Sequence, residues 1–352
     1  MHLHSGHVQF VTKYIPYVGG GEVQFLKTAE YLRKLGVDVE TMPVSQGGLP
    51  RLVHFFGSHG LLFNEFARSL KYKYKIPYVV STIFFSSPGT MIEKFYINFS
   101  LFLIKCGLEK LIPRPGMRNL PFLFRNADLL LPNTRAEANI IRKCFPFISE
   151  NKIQIIPNGV DEKFAESDPN LFRKQYNVDY DFVLNIARLE PRKNQLSLIR
   201  ALEETGLKLV IIGNQFVFPE YTKLCFSEAK RNVLFINELS HDSPLLASAY
   251  GAARVFALPS SEETPGISAL EAAAAGSSVV VTERGGAQEY LQEFARYVDP
   301  TSIKDIRNKV LSAWDSNLDK EDQKRYIISN FSWSKVAELT LLAYEKVLGK
   351  WS

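Results

Sequence analysis

The chain alternates short apolar runs with stretches whose apolar residues recur every three or four positions, the rhythm of strands and amphipathic helices in turn. In the first half the runs 8–12, 37–42, 52–55, 78–82, 128–131 and 153–156 predict strands. Between the first two, Val23, Leu26, Ala29, Leu32 and Leu35 repeat at every third residue, and Gly36 ends the helix they predict. The same rhythm restarts with strands at 182–186, 208–212, 233–236, 255–258, 278–281 and 297–298. Strands that alternate with helices imply parallel sheets covered on both faces. Between the halves, Pro157-Asn158-Gly159-Val160-Asp161 places turn-forming residues directly after a predicted strand. The pattern therefore predicts two doubly wound α/β domains joined there and facing each other across a cleft. Ligands of such sheets sit at the carboxyl ends of the strands.

Composition narrows the class. A length of 352 residues suits two domains, and 46% hydrophobic with 22% charged residues excludes a disordered chain. The three cysteines, Cys106, Cys144 and Cys225, lie far apart, so neither a disulfide framework nor a metal knuckle is expected. Histidines 2, 4 and 7 sit at the N-terminus, and His54, His59 and His241 are scattered, so no metal site and no cofactor is expected. No run approaches the roughly 20 apolar residues of a membrane span. Residues 1–5 do not begin a secretory signal, which makes a cytoplasmic location the expectation.

Charge is uneven. Residues 1–161 hold 19 Lys and Arg against 11 Asp and Glu (+8), and the remainder holds 23 against 26 (−3). Without a dense Lys/Arg cluster, this asymmetry favours contact with an anionic membrane over nucleic acid. A merely solvated basic face is the plain alternative.

Three segments could carry chemistry. After the first strand, Gly19-Gly20-Gly21 precedes a helix, where small residues and free amides can approach an anion. A dinucleotide fingerprint would need a third glycine where Gln24 stands, although Asp38 lies near the place of a ribose-binding acid. The same glycines would also serve as a simple connection. Arg188 and Lys193 follow the strand at 182–186, and cations at a strand's carboxyl end suit phosphate. Alone, the pair could equally be solvated loop charges. The third segment runs from Leu258 to Gly276: a strand, a loop with Glu263, then a helix starting near Gly266, Ile267 and Ser268 with Glu271 inside it. Its first amides offer an anion seat. Glu263 and Glu271, eight residues apart, read as acceptors for hydroxyls at two ends of a long ligand, or as structural partners.

Taken in order, these segments resemble the retaining GT-B glycosyltransferases of family GT4, over nearly the whole chain. Glu263-x7-Glu271 resembles the family's E-x7-E motif, and Arg188 with Lys193-Asn194 its G-R-L-x-x-x-K-N segment. Gly19-Gly20-Gly21 is similar to its first glycine loop, residues 157–161 to its interdomain linker, and Gly285-Gly286 with Glu289 to its late G-G-x-x-E element. Phe331-Ser332-Trp333 resembles the segment that leads the last helix back to the first domain. The resemblance implies an acceptor-side Rossmann-like domain at 1–160 that includes a returning helix at about 334–352, and a donor domain at 161–333.

It also implies a hexose-type sugar moved from a nucleotide-diphosphate sugar to a glycan or lipid-linked acceptor, as in cell-surface polysaccharide or glycoconjugate synthesis, without a metal. Arg188 and Lys193 would neutralise the diphosphate, Glu271 would hold the ribose and Glu263 the donor sugar. Gly20, Gly21, Gly266, Ile267 and Ser268 would complete the cradle. Both cationic side chains are expected to be accessible, so that their loss would barely affect stability. Two departures stand out: Thr264-Pro265-Gly266 replaces a Gly-Phe-Gly run, and Phe84 stands where many members carry a histidine. The second leaves a catalytically weak subunit supporting a partner transferase as the alternative.

Residues 91–112 are a separate matter. Ile92, Phe95, Phe99, Phe102, Leu103 and Cys106 recur at helical spacing, with Lys94 and Lys105 on nearly one side, and Tyr72 stands among Lys71, Lys73 and Lys75. An aromatic face beside lysines suits a helix lying on an anionic membrane surface, here the inner face of the membrane. If the helix only packs on the core, its aromatic residues should be buried.

Overall fold

All the strand pairings in the described residues are parallel, as the alternation of strand and helix requires. The computed structural model describes residues 6–12, 19–41, 48–58, 60–84, 91–112, 115–317 and 319–349, with backbone alone at 60–62, 91–97 and 115–117. The chain divides into two units, Met1–Gly159 with Trp333–Ser352, and Val160–Ser332.

The first unit holds β1 (Val8–Val11), β2 (Val39–Thr41), β3 (Leu52–Phe56), β4 (Tyr78–Ser81) and β5 (Leu129–Leu131), in the sheet order β2-β1-β3-β4-β5. The second holds β6 (Phe182–Ile186), β7 (Lys208–Ile212), β8 (Val233–Ile236), β9 (Val255–Leu258), β10 (Ser278–Thr282) and β11 (Ala295–Val298), in the order β11-β10-β9-β6-β7-β8. Strands β3, β4, β9 and β10 are buried at every residue, which is why they read as continuous apolar runs rather than alternating ones. Each order reverses once, between β1 and β3 and between β6 and β9, and these switch points are where such sheets bind ligands.

The expected strand at 153–156 does not form. Ile153 makes a single bridge to Leu130, after which Gln154 and Ile156 donate to the carbonyls of Leu130 and Pro132. Pro132 has no N–H to return, so the ladder stops.

The helix Trp333–Leu348 is part of the first unit and packs against the helix Gly20–Lys34. Trp333 is buried against Gly159, where a Cβ would lie 2.5 Å from the indole, so this close approach requires glycine. On the same side of the sheet, His54 is buried in β3 among Phe10 and Phe56. Its Nδ1 lies 2.7 Å from the Tyr344 hydroxyl and its Nε2 2.9 Å from Ser81 Oγ. Burial pulls its pKa down to about 3, so the ring is neutral at ordinary pH.

The carboxyl edge of this sheet is clamped. Glu137, buried near the start of the helix Arg135–Cys144, accepts hydrogen bonds from Thr82 Oγ1, from the Phe84 amide at 2.7 Å and from the Asn133 amide at 2.8 Å. Ser58 Oγ donates to the Thr82 carbonyl at 2.7 Å. Between these anchors Ile83 is held at φ 42°, a region that costs a β-branched residue about 1–3 kcal/mol. The turn sends Phe84 into the core, where it meets Phe124 and Phe145.

Candidate active site

In the second unit, topology joins what the sequence separates by 70 residues. Strands β6 and β9 are neighbours at the switch point, so the loops leaving them lie side by side. The loop after β6 carries Arg188 and Lys193, and the loop after β9 carries Glu263. One strand's end thus supplies the cations and its neighbour's end the carboxylate.

The loop after β6 tightens into a single 3-10 turn, Pro191–Lys193, whose proline has no amide to leave unpaired. Asn194 follows at φ 60°, and its side chain does not cap the next helix, Gln195–Leu202. Instead Asn194 Nδ2 donates to the carbonyls of Pro259, at 3.0 Å, and Pro300, at 2.8 Å, tying the loop to the neighbouring strand ends. The Ser261 amide donates to the Arg192 carbonyl, and Arg192 returns a bond to the Glu262 carbonyl.

This geometry brings charges into one network. Lys193 Nζ lies 2.6 Å from Glu263 Oε1, with Arg192 3.9 Å from the same oxygen. Arg192 and Arg188 also flank the buried Glu190, at 3.2 and 3.4 Å. Three cations therefore surround two buried carboxylates at the sheet's carboxyl edge. Burial alone would raise the Glu263 carboxyl, but Lys193 and Arg192 hold it below the usual carboxylate range. Burial lowers the Lys193 ammonium, against the opposing pull of Glu263.

The expectation that Lys193 is readily accessible is therefore corrected. Its side chain is only 14% exposed and engaged by a carboxylate, because the two loops close on each other. Arg188, at 24%, is more open.

Glu263 is fixed from behind by the late glycine pair. Its amide donates to the Arg284 carbonyl, and its own carbonyl accepts from the Gly286 amide at 2.8 Å. Gly285 has φ +103°, and a Cβ there would lie 2.0 Å from the Glu263 carbonyl oxygen. Only glycine fits.

The helix Ile267–Ala274 begins after Gly266 at φ 76°. Ile267 and Ser268 occupy its first turn and are half-buried, and Glu271 is buried one turn later. The Glu271 carboxylate is not unattended: His241 Nε2 lies 2.8 Å from Oε1, and the Tyr250 hydroxyl donates to Oε2 at 2.7 Å. Burial and the adjacent carboxylate push the Tyr250 phenol well above its ordinary value, so it remains a donor. In the sequence His241 is one of several scattered histidines, and Tyr250 carries no motif. The usable signal was position, since His241 lies in the loop that follows β8, on the sheet's carboxyl side. Gly20 and Gly21 belong to the first unit, where they open the helix Gly20–Lys34.

Among the described residues, no group of three or more His, Cys, Asp or Glu side chains could hold a metal ion.

Known proteins are similar to the chain in part of its sequence and in its fold. Residues 167–331 match the model of the family Glycosyl transferases group 1. That span falls inside the second unit and contains every charged residue of the network. The chain is 32% identical over 216 residues to the "Uncharacterized glycosyltransferase MJ1607" of Methanocaldococcus jannaschii, covering 56% of this chain and 54% of that protein. It is 26% identical over 222 residues to the lipopolysaccharide 1,2-N-acetylglucosaminetransferase of Salmonella typhimurium, covering 56% and 57%. The matches thus span little more than half the length of these curated relatives.

Among solved structures, Anabaena Alr3699/HepE in complex with UDP and glucose matches with a TM-score of 0.75 at 18% identity, over 97% of this chain and all of that one. WaaG, a glycosyltransferase involved in lipopolysaccharide biosynthesis, matches with a TM-score of 0.66 at 17% identity, over 97% and 99%. At such identity the likeness concerns the fold: two Rossmann-like parallel α/β domains of the GT-B class.

Proposed function

We propose that this protein is a retaining glycosyltransferase of the GT4 kind, which moves a hexose-type sugar from a nucleotide-diphosphate sugar to a glycan or lipid-linked acceptor. The observation that carries the reading is the network at the β6/β9 switch point. Cations meet a buried carboxylate where doubly wound sheets bind their ligands. As the sugar departs, negative charge grows on the diphosphate, and cations fixed in a partly buried site stabilise it with little reorganisation. Arg188, more open than Lys193, supplies a planar fork for phosphate oxygens, and Lys193 a point charge. With these groups in place the diphosphate needs no metal ion. Glu263 accepts from the hydroxyls of the donor sugar, and Glu271 from those of the ribose. That curated relatives and the fold neighbour WaaG are named as glycosyltransferases, and that another fold neighbour was solved with UDP and glucose, supports the donor class.

The decisive experiment follows sugar release from a panel of UDP- and GDP-sugars, with and without glycan and lipid-linked acceptors, in buffer containing a chelator. One donor should turn over, faster with its acceptor and undiminished by chelation. Failure of the whole panel, in the presence and absence of divalent ions, would overturn the reading.

The same reading places the acceptor at an anionic membrane surface, on the inner face of the membrane. In the helix Met91–Lys105, Phe99 and Phe102 are 47% and 59% exposed, whereas Leu103 and Ile104 are buried. Lys105 is exposed, as are Tyr72, Lys73 and Lys75; the side chains of Ile92, Lys94 and Phe95 lie outside the described residues. Outward aromatic rings near lysines match what an anionic bilayer surface binds. No helix among the described residues is long and apolar enough to cross a membrane.

A further inference from the structure

The Glu271 carboxylate has a set of partners that the charge network does not share. Lys193, Arg188 and Arg192 pair with Glu263 and Glu190, and Glu271 is met instead by an imidazole and a phenol. In the tautomer with its proton on Nε2, His241 donates to the Glu271 carboxylate at 2.8 Å. The Tyr250 hydroxyl takes the second oxygen. Two oxygens offer about four acceptor positions, so both can be anchored while the carboxylate still accepts from a ligand.

His241 is itself held. Lys163 Nζ donates to its carbonyl at 2.8 Å, and the Phe164 ring meets the imidazole edge-on with centroids 5.8 Å apart. Phe164 also packs edge-on against Tyr250, so one buried aromatic ring supports both donors. The imidazole nevertheless remains 19% exposed. Tyr250 reaches only one of the two carboxylate oxygens, and the amides inside the helix are committed to its own ladder. A second donor, brought from a loop 30 residues away and left at the surface, restricts how the carboxylate can turn.

We propose that His241 is a positioning residue for nucleoside recognition. Through Nε2–H it fixes the rotamer of Glu271, so that the carboxylate's remaining acceptor positions take a ribose hydroxyl pair. The assignment rests on the donor-site reading above and adds to it a residue outside the recognised motifs. Because His241 acts through Glu271, its loss should weaken recognition of the sugar hydroxyls and leave the phosphate contacts intact.

The test is calorimetric titration of the full chain with UDP, 2′-deoxy-UDP, 3′-deoxy-UDP and inorganic pyrophosphate, for wild type, His241→Ala, His241→Gln and Glu271→Gln. GDP and its deoxy analogues replace the uridine series if GDP is the nucleotide bound. Wild type should prefer the full ribose over at least one deoxy form by about tenfold, the size expected of a charge-assisted hydrogen bond. His241→Ala should lose most of that preference while binding pyrophosphate within about twofold of wild type, and His241→Gln, which keeps an N–H donor, should recover part of it. Thermal melts verify that the variants are folded. Retention of the full preference in His241→Ala, or an equal loss of pyrophosphate binding, would overturn the proposal. If wild type binds no nucleoside diphosphate at all, the donor-site reading itself has failed.

Discussion

The two sheets share a fold, but the charge network at the β6/β9 edge of one and the Glu137 clamp at the edge of the other hold buried carboxylates by different means. In the second unit, ionised side chains face one another: Lys193 and Arg192 meet Glu263, and Arg188 and Arg192 meet Glu190. In the first unit, amides and hydroxyls donate to buried groups near the corresponding edge. Glu137 accepts from two amides and a threonine, and His54 sits uncharged between a tyrosine and a serine. The first arrangement concentrates charge where a ligand can reach it. The second directs hydrogen bonds to its own backbone and so fixes the loop that holds Ile83. Burying a carboxylate is costly unless it is paired or well hydrogen-bonded; the network offsets that cost with cations, and the clamp with several converging donors. The network of charges is where we place function.

Breaking the Lys193–Glu263 pair should have the largest effect. Lys193→Ala removes one electrostatic stabiliser, which costs about 10²–10³ in turnover. It also leaves Glu263 buried without its closest cation, at about 3 kcal/mol of stability. The double variant K193M/E263Q should recover most of that stability in urea denaturation and none of the turnover. Wild-type turnover by K193A at saturating donor would remove Lys193 from the diphosphate site.

His54 sharpens the contrast from the other side. Its pKa is about 3 when folded, against roughly 6.5 for an unperturbed histidine. As pH falls below 6.5 the unfolded chain takes up a proton that the folded chain refuses, so stability decreases until the pH nears 3. By pH 5 the loss should be about 2 kcal/mol. Urea midpoints between pH 7 and pH 5 should fall for wild type and flatten for His54→Gln. Equal slopes would mean that the ring is not buried in its neutral form.

The smallest effect concerns the surface of the first unit. Co-sedimentation with vesicles should require anionic lipid, weaken with salt and fall by about thirtyfold in affinity when Lys94 and Lys105 become Glu, each lysine near the surface contributing about 1 kcal/mol. The same recovery with neutral and anionic vesicles would leave the exposed Phe99 and Phe102 without a membrane role.

Much of this was legible in the residues themselves. The period of the apolar positions predicts strands at the sites of β1 to β11, because a strand buried on both faces must be apolar throughout. Gly36 and Gly266 marked a helix end and a helix start through backbone conformations that suit glycine. The sequence alone also drew attention to Arg188, Lys193, Glu263 and Glu271. It did not reveal that 153–156 pairs only at one bridge, because that depends on Pro132 in a different segment lacking an amide.

Partnership was decided by tertiary structure. That Lys193 reaches Glu263 follows from β6 lying beside β9, a neighbour relation set by sheet order and invisible to any local pattern. His241 and Tyr250 converge on Glu271 from a loop and a helix 30 and 21 residues earlier in the chain. Phe84 turns inward because Glu137, 53 residues away, grips the amide on one side of Ile83 and the Thr82 hydroxyl on the other. Periodicity records which side of an element is buried, whereas a hydrogen bond across 50 residues depends on how separate elements pack.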